Sequence, residues 1–209
     1  MSDVLQKPAK SARKPKGEGH ARRAEILAAA ERIFVECGYE GATIRKIADE
    51  VGVSSTALYM HFRDKSEILL EICESAFAQM KASHDAVKAL EAPPETKIRM
   101  MLQDYIRFGL ANPNAYRLVF LTRPQEAEGA QSVAQRLGRQ TFASFQDTVA
   151  ELAAAGRLKG EAPVAAQTLW AGAHGVVSLI ITKPYFDWAP LEVLTGAMLD
   201  ALFDGLLKP

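Results

Sequence analysis

Apolar residues recur at helical spacing through almost the whole chain from His20 onward. Ile26, Ala30 and Ile33 fall at i, i+4 and i+7, which puts them on one buried face of a helix. No segment shows the alternation of apolar and polar residues that is typical of a half-buried strand. We therefore predict an all-α fold. The predicted helices cover residues 20–38, 44–51, 54 or 55 to about 62, 65 into the eighties, 95–111, 115–121, 133–155, 164–182 and 191–207.

The boundaries of these helices follow from caps and helix breakers. Gly38 ends the first helix, because glycine readily adopts the left-handed backbone that closes a helix. Thr43 caps the second helix with its side-chain oxygen, and Gly52 separates that helix from the short third one. The segment "TRPQEAEGAQ" reads as a loop before the long helix that begins at Val133.

Composition and charge divide the chain into three parts. Residues 1–19 are rich in Lys, Pro, Ser and Gly without an apolar period, so we expect a disordered basic arm. Residues 20–66 hold the first three helices, and residues 67–209 hold the remaining ones. The formal net charge is zero, yet residues 1–65 carry 12 Lys and Arg against 9 Asp and Glu. The basic charge therefore lies at the front of the chain.

The two cysteines indicate a reducing compartment, and no segment reads as a membrane span or a secretory signal. Cys37 and Cys73 lie inside apolar helical patterns without a CxxC spacing, so we expect two buried free thiols. No stretch approaches the roughly 20 apolar residues of a membrane span, and no apolar core follows the basic N-terminus as in a secretory signal. We expect a cytoplasmic protein with no membrane partner, no metal site and no cofactor.

Residues 43–62 form a helix, a tight Gly-containing turn and a second helix. On the second helix Leu58 and Phe62 point inward, while Thr56, Ala57, Tyr59 and Met60 occupy the opposite face. A short helix that displays small polar and aromatic groups suits insertion into a DNA major groove. The alternative is an ordinary helical corner, for which charged Lys and Glu would be expected on that face.

The segment "ILAAAERIFVECGYEGATIRKIADEVGVSSTALYMHFRDKSEIL" carries the pattern F…GY…AT…IA…GVS…LY.HF..K..L. It resembles the N-terminal DNA-binding domain of the TetR family of transcriptional regulators, over about residues 22–77. The resemblance implies a three-helix, helix-turn-helix DNA-binding head at 20–66. A long fourth helix would join this head to a helical effector-binding and dimerisation domain at 67–209.

The resemblance also implies which residues meet DNA. Residues 54–57 would face the base edges, Arg45 would reach a phosphate or a guanine edge, and Tyr59, His61 and Lys65 would meet the backbone. The recognition face lacks Arg, Asn and Gln, so specificity would depend on Arg45, methyl contacts and DNA shape. The implied DNA contacts are Thr43, Arg45, Ser54, Ser55, Thr56, Ala57, Tyr59, His61 and Lys65.

The C-terminal half contains a second recognisable segment. "TLWAGAHGVVSLII" resembles the Trp–His–Gly signature of one TetR C-terminal subfamily, and "AYRLVF" fits its short middle helix. Trp170 and His174 lie one turn apart on one helix face, either as part of an effector pocket or as ordinary core. A hydrophobic or aromatic effector would suit the candidate pocket, which consists of Tyr105, Phe108, Tyr116, Phe120, Phe145, Trp170 and His174.

The last two helices are apolar on two sides. Leu191, Leu194 and Met198 continue one stripe, while Val193 and Ala197 belong to another. A terminal helix that is apolar on two sides needs a partner beyond its own core, so we expect a homodimer through these helices.

These observations together predict a repressor that binds a near-palindromic operator in double-stranded DNA as a dimer and is released by a small-molecule effector. A structural nucleoid protein is one alternative, favoured by the basic arm but not by the near-neutral C-terminal half. An enzyme is another, but the scattered histidines form no catalytic or metal-binding spacing.

Overall fold

The predicted helices are present in the computed structural model, which describes residues 19–122 and 128–208. The basic arm expected at residues 1–19 lies outside the described residues apart from Gly19. Among the described residues, strand-like pairing is limited to one isolated bridge between Leu158 and Leu207, so the all-α fold class is confirmed. The helices are α1 (Gly19–Gly41), α2 (Ile44–Val51), α3 (Ser55–Tyr59), α4 (Lys65–Lys88), α5 (Pro94–Ala111), α6 (Pro113–Tyr116) with a π-helical turn (Arg117–Leu121), α7 (Glu128–Ala154), α8 (Ala162–Thr182) and α9 (Leu191–Leu206).

Three helix boundaries differ in detail from the prediction. Helix α1 continues to Gly41, but Gly38 has φ +72° and breaks its regular backbone at the predicted position. Helix α3 ends at Tyr59 rather than near Phe62, because the chain tightens there and the His61 amide donates to the Leu58 carbonyl at 2.8 Å. Helix α7 begins at Glu128, five residues before the predicted start, in a polar stretch that reads as a loop.

Helix α4 takes part in two hydrophobic cores. The head core joins α1, α2 and α3 to the first turns of α4, where Ile68, Leu69, Ile72 and Cys73 are buried. The C-terminal core is built from α5, α7, α8 and α9 around the remainder of α4. One continuous helix therefore carries buried residues of both cores.

The expectation of two buried thiols is wrong for Cys37. Cys73 is buried, and burial raises the pKa of its thiol to about 12. Cys37 is exposed, because α1 breaks at the next residue and Tyr39 folds back into the core against Phe34, with 5.4 Å between ring centroids. The tyrosine occupies the place that the helical period assigns to the cysteine.

The expectation that no segment approaches a membrane span is also wrong. Helix α8 is 21 residues long and apolar enough to cross a membrane by length and composition alone. It packs against α5, α7 and α9 as a core helix of the C-terminal domain. A helix enclosed on several sides needs apolar residues around most of its circumference, which explains the composition.

Candidate DNA interface and effector cavity

Side-chain caps hold the helix-turn-helix unit in place. The Thr43 hydroxyl oxygen accepts the Lys46 amide at 3.2 Å at the start of α2, and the Ser54 hydroxyl oxygen accepts the Ala57 amide at 3.1 Å at the start of α3. Gly52 closes α2 with φ +72°, a conformation that disfavours side chains with a Cβ. Both hydroxyls still have a hydrogen to donate, so capping leaves them able to contact a phosphate.

The outer face of α3 presents the predicted residues to solvent. Thr56 and Ala57 are exposed, and the side chains of Tyr59 and Met60 are 55% and 83% exposed. Ser55 and His61 are half-buried at the two ends of the helix. Leu58 and Phe62 are fully buried beneath it, as the helical pattern predicts. The face available to DNA is therefore small, weakly polar and uncharged.

The basic residues near this face differ in how strongly their charged groups are bonded to other groups of the protein. Arg45 is 86% exposed, with Asp49 at 3.8 Å as a loose ion-pair partner. The Lys65 ammonium donates to the Tyr39 carbonyl at 3.0 Å and lies 4.4 Å from the centre of the Tyr39 ring. Lys46 likewise donates to the Gly41 carbonyl at 2.8 Å. Arg45 is thus readily available to DNA, whereas Lys65 also ties α4 to the end of α1.

Arg23 supports the recognition helix, a role that no pattern in the sequence indicates. Its guanidinium lies 4.0 Å from the centre of the Phe62 ring and donates to the His61 carbonyl. The same group donates to the Glu71 carboxylate on α4 at 2.9 Å, and this bond raises the pKa of Arg23. Arg23 therefore joins α1, the end of the recognition segment and α4. Its position in the basic front of the chain gave no sign of this buried contact.

A cavity of about 400 Å³ lies along α4 in the C-terminal domain. Leu69, Cys73, Phe77, Met80 and His84 line it from one face of α4. His84 lies fifteen positions after Leu69, which corresponds to about 22 Å of helix, so the cavity is elongated. Its volume lies within the usual range of small-molecule sites.

Helices α4 and α7 run parallel on either side of this cavity. A methyl group on Gly138 would lie 3.4 Å from the Phe77 ring, and seven residues further along both helices His84 faces Phe145 at 6.4 Å between ring centroids. Seven residues of helix correspond to about 10 Å. Gln135 and Arg139, which are exposed, lie near Gly138 on α7, so the cavity opens to solvent at the Phe77 level, about midway between Leu69 and His84.

Four of the seven predicted pocket residues line the cavity: Tyr105, Phe120, Phe145 and Trp170. Phe108 instead lines an outer cleft of about 280 Å³ between α4 and α5. Tyr116 and His174 line neither space and lie behind Tyr105. The residues that the prediction missed come mainly from α4 and α7, because an amphipathic stripe in the sequence does not distinguish a cavity wall from a filled core.

Tyr105, Tyr116 and His174 form a hydrogen-bonded cluster. The two hydroxyl oxygens are 2.9 Å apart, and His174 Nδ1 lies 2.6 Å from the Tyr116 hydroxyl and 3.1 Å from that of Tyr105. Burial raises the pKa of Tyr105 to about 12 and also raises that of Tyr116. Burial lowers the pKa of His174, so the cluster is neutral at pH 7. These three residues fix one another and hold Tyr105 at the cavity wall.

Apolar side chains remain exposed on α8, on α9 and between them. Val193 is 61% exposed, and Leu179 and Val164 are also exposed on α8. Tyr185 and Phe186 are exposed in the connection to α9. Among the described residues, no group of three His, Cys, Asp or Glu side chains is arranged to hold a metal ion.

The sequence matches two family models over most of the described chain. Residues 26–72 match the model described as "Bacterial regulatory proteins, tetR family". Residues 98–206, more than half of the chain, match "Tetracyclin repressor-like, C-terminal domain". The chain belongs to the TetR family. This confirms the family resemblance, while the Trp–His–Gly subfamily stays a prediction.

Individual TetR relatives match shorter segments. Over 59 residues the chain is 46% identical to the HTH-type transcriptional repressor AcnR of Corynebacterium diphtheriae, covering 28% of this chain and 31% of that protein. Over 110 residues it is 30% identical to the HTH-type transcriptional activator FasR of Mycolicibacterium smegmatis, covering 51% and 50%. The matches thus span about a third to a half of the length of these curated relatives.

The fold extends over nearly the whole of a solved TetR structure. The ketosteroid transcriptional regulator KstR2 of Mycobacterium tuberculosis has a TM-score of 0.73 at 19% identity, covering 90% of this chain and 96% of that one. At this identity the likeness shows the fold alone. It confirms a helix-turn-helix head joined to a helical C-terminal domain.

Proposed function

We propose that this chain is a transcriptional repressor that binds a near-palindromic operator as a dimer and is released by a small hydrophobic or aromatic effector. The observation that carries the proposal is the position of the cavity. Leu69 and Cys73 belong to the head core and also line the cavity. A molecule bound there would touch the core that supports the recognition helix.

Several features support DNA binding by the head. The exposed face of α3 is uncharged and small enough for a major groove, and Arg45 extends from α2 beside it. AcnR, which is named a repressor, is 46% identical over the matched segment, and this favours repression over activation. The proposal includes no enzymatic activity and assigns the protein to the cytoplasm, since the matched relatives are named as transcriptional regulators.

The exposed apolar residues of α8 and α9 support the dimer. Val164, Leu179 and Val193 would be covered if the two helices packed on those of a second copy around a two-fold axis. The two recognition helices would then enter successive major grooves about 34 Å apart. A near-palindromic operator follows from the symmetry of the dimer.

Release by an effector requires a difference in affinity between two states. A molecule that binds the cavity of the DNA-free state more tightly by about 1–3 kcal/mol would lower operator affinity about 5- to 150-fold. By linkage, operator DNA must weaken effector binding by the same factor. The apolar and aromatic lining favours a hydrophobic compound.

The operator is tested by selecting bound sequences from random DNA and footprinting them. We expect protection of one short near-palindrome and a dimer by light scattering. Arg45→Ala should relax the base preference at one position by roughly 1–3 kcal/mol. Deletion of residues 1–19 should flatten the salt dependence of binding. Broad coating of DNA without a preferred site would instead favour a structural nucleoid protein, and a monomer at micromolar concentration would contradict the dimer.

The effector is tested by a thermal-shift screen of lipophilic and aromatic compounds, with hits retested for release of the selected operator. Hits should stabilise the protein and weaken operator binding. Compounds that stabilise the protein but leave operator affinity unchanged would contradict the repressor mechanism.

A further inference from the structure

One residue of the cavity wall has a buried ring nitrogen without a hydrogen-bond partner. His84 is 7% exposed, and its Nδ1 makes no hydrogen bond and is shielded from solvent. The same imidazole lines both the cavity and the outer cleft. Native proteins satisfy most buried polar atoms, so an imidazole of the cavity wall with no hydrogen bond at Nδ1 needs an explanation.

The other strong hydrogen-bonding groups on the buried wall are already engaged. The Tyr105 hydroxyl is shared with Tyr116 and His174. The hydroxyls of Thr122 and Thr141 donate to carbonyls one turn earlier in the chain, at 3.1 Å and 3.0 Å. The thiol of Cys73 is only a weak donor. His84 is therefore a residue on this wall with bonding capacity left for a ligand.

The surroundings of His84 favour an uncharged ligand group. Burial lowers the pKa of His84, so its ring is neutral at pH 7 and offers one donor and one acceptor nitrogen. Asp104 contributes a nearby negative charge, and its carboxylate is already bonded to Ser83 at 2.5 Å and to Arg107. A ligand carboxylate beside His84 would meet that charge, whereas a hydroxyl or a carbonyl would not.

We propose that His84 binds an uncharged hydroxyl or carbonyl group at the inner end of an otherwise apolar effector. The apolar body lies along α4 from His84 toward Phe77 and Cys73, where the cavity is lined by aromatic and aliphatic side chains. The opening of the cavity at the Phe77 level lies about 10 Å away along the helix. This inference rests on the proposed effector role of the cavity and adds the chemical class of the ligand.

Two naphthalene derivatives test the assignment in the full chain. They are 2-naphthol and 2-methylnaphthalene, which differ by a hydroxyl in place of a methyl group of similar size. Their dissociation constants are measured by calorimetry for the wild-type, His84→Leu and His84→Gln proteins. One hydrogen bond corresponds to a change of about three- to tenfold in the ratio of the two constants. We expect His84→Leu to shift the ratio against 2-naphthol by that factor, and His84→Gln to retain part of the preference.

Phe145→Leu is the matched control on the same wall. It should weaken binding of both compounds and leave their ratio unchanged. An unchanged ratio in His84→Leu would overturn the assignment. If His84→Leu does not fold, ¹⁵N resonances of the His84 ring in the wild-type protein decide, because they should move on addition of 2-naphthol and not of 2-methylnaphthalene. If these resonances move with neither compound, the assignment of His84 is also overturned.

Operator binding separates this inference from the proposed function. If 2-naphthol binds with the expected dependence on His84 but leaves the affinity for the selected operator unchanged, the ligand assignment stands and effector control fails. If a screened compound releases the operator while the ratio of the two naphthalene dissociation constants is the same in wild type and His84→Leu, effector control stands and the ligand assignment fails.

Discussion

The head and the C-terminal domain use their polar side chains in opposite ways. In the head, Thr43, Ser54 and Asp64 lie at helix starts, and each accepts the amide of a residue three positions later. In the C-terminal domain, Tyr105 and Tyr116 bond to His174 on a distant helix inside the core. Local capping bonds thus define the helix starts of the head, whereas the buried cluster of the C-terminal domain joins residues that are far apart in sequence.

The two regions also differ in how they fill their interiors. The head core packs aliphatic side chains and alanines around Phe34 and Phe62. The C-terminal domain has more aromatic residues but encloses a cavity of about 400 Å³ along α4. An unfilled cavity costs stability, because its lining loses packing contacts. The difference fits the proposed function, in which a rigid DNA-binding head is joined to a domain that responds to a ligand.

The largest expected effect is at Phe62, where the head depends on one aromatic side chain. Phe62→Ala removes a fully buried ring and the surface under the Arg23 guanidinium. We expect a loss of about 3–5 kcal/mol in the free energy of unfolding, measured by urea denaturation. Operator binding should be lost with it.

Met60→Ala, two residues away on the exposed face, is the control for this variant. Its free energy of unfolding should stay within about 0.5 kcal/mol of wild type. Equal losses for Phe62→Ala and Met60→Ala would mean that the head core does not extend under α3 as described.

The next effect tests how tightly the C-terminal domain is packed away from its cavity. A Cβ on Gly109 would lie 2.5 Å from Val177 Cγ1 and 2.9 Å from the Tyr116 ring. Gly109→Ala should therefore destabilise the protein by about 1–3 kcal/mol in thermal or urea unfolding. A neutral result would show that the packing there is as adaptable as the cavity wall.

Gly175→Ala is the matched control within the same domain. A Cβ at Gly175 meets no atom within 4 Å in the described chain. Alanine has a higher helix propensity than glycine, so Gly175→Ala should raise the free energy of unfolding by up to about 1 kcal/mol. Destabilisation at Gly175 would instead indicate that a second copy packs against it.

The head was predictable because its signals are local. Caps, glycine breaks and the inward Leu58 and Phe62 can each be read from residues within one or two turns. The failures in the head come from contacts across the chain. Tyr39 displaces Cys37 from the core, and Arg23 reaches Phe62 and Glu71.

The cavity was only partly predictable, for a related reason. Aromatic residues on α5 and α8 were identified as candidates, and four of the seven predicted side chains line the cavity. Of the wall formed by α4 and α7, Phe145 was predicted, but Phe77, Met80 and Phe142 were missed because they read as ordinary core positions. Whether packed helices leave a space depends on the volumes of side chains brought together from separate helices, which apolar spacing does not report.

A smaller effect is expected from removing the hydroxyl of one tyrosine in each region, Tyr116 in the C-terminal domain and Tyr59 in the head. Tyr116→Phe removes one hydroxyl from the buried cluster and should cost about 1 kcal/mol of stability, with little effect on operator affinity. Tyr59→Phe removes an exposed hydroxyl and should leave stability unchanged while weakening binding to all DNA sequences about equally. Urea denaturation and gel shift are measured for both proteins. A stability loss in Tyr59→Phe, or its absence in Tyr116→Phe, would contradict the assigned environments.

The smallest effect we predict is the pH dependence of the C-terminal domain. Burial lowers the pKa of His84 and of His174 below the ordinary value of 6.5. The unfolded chain therefore binds more protons than the folded chain below about pH 6.5, and stability present above that pH is lost as the pH falls through the folded pKa values. The urea midpoint should decrease between pH 7.5 and 5.5, and His174→Gln should show a shallower decrease. Comparing the two proteins cancels other groups, including Glu31 in the head, whose pKa burial raises. Identical slopes would mean that His174 titrates alike in the folded and unfolded chains, which would contradict its neutral place beside Tyr116.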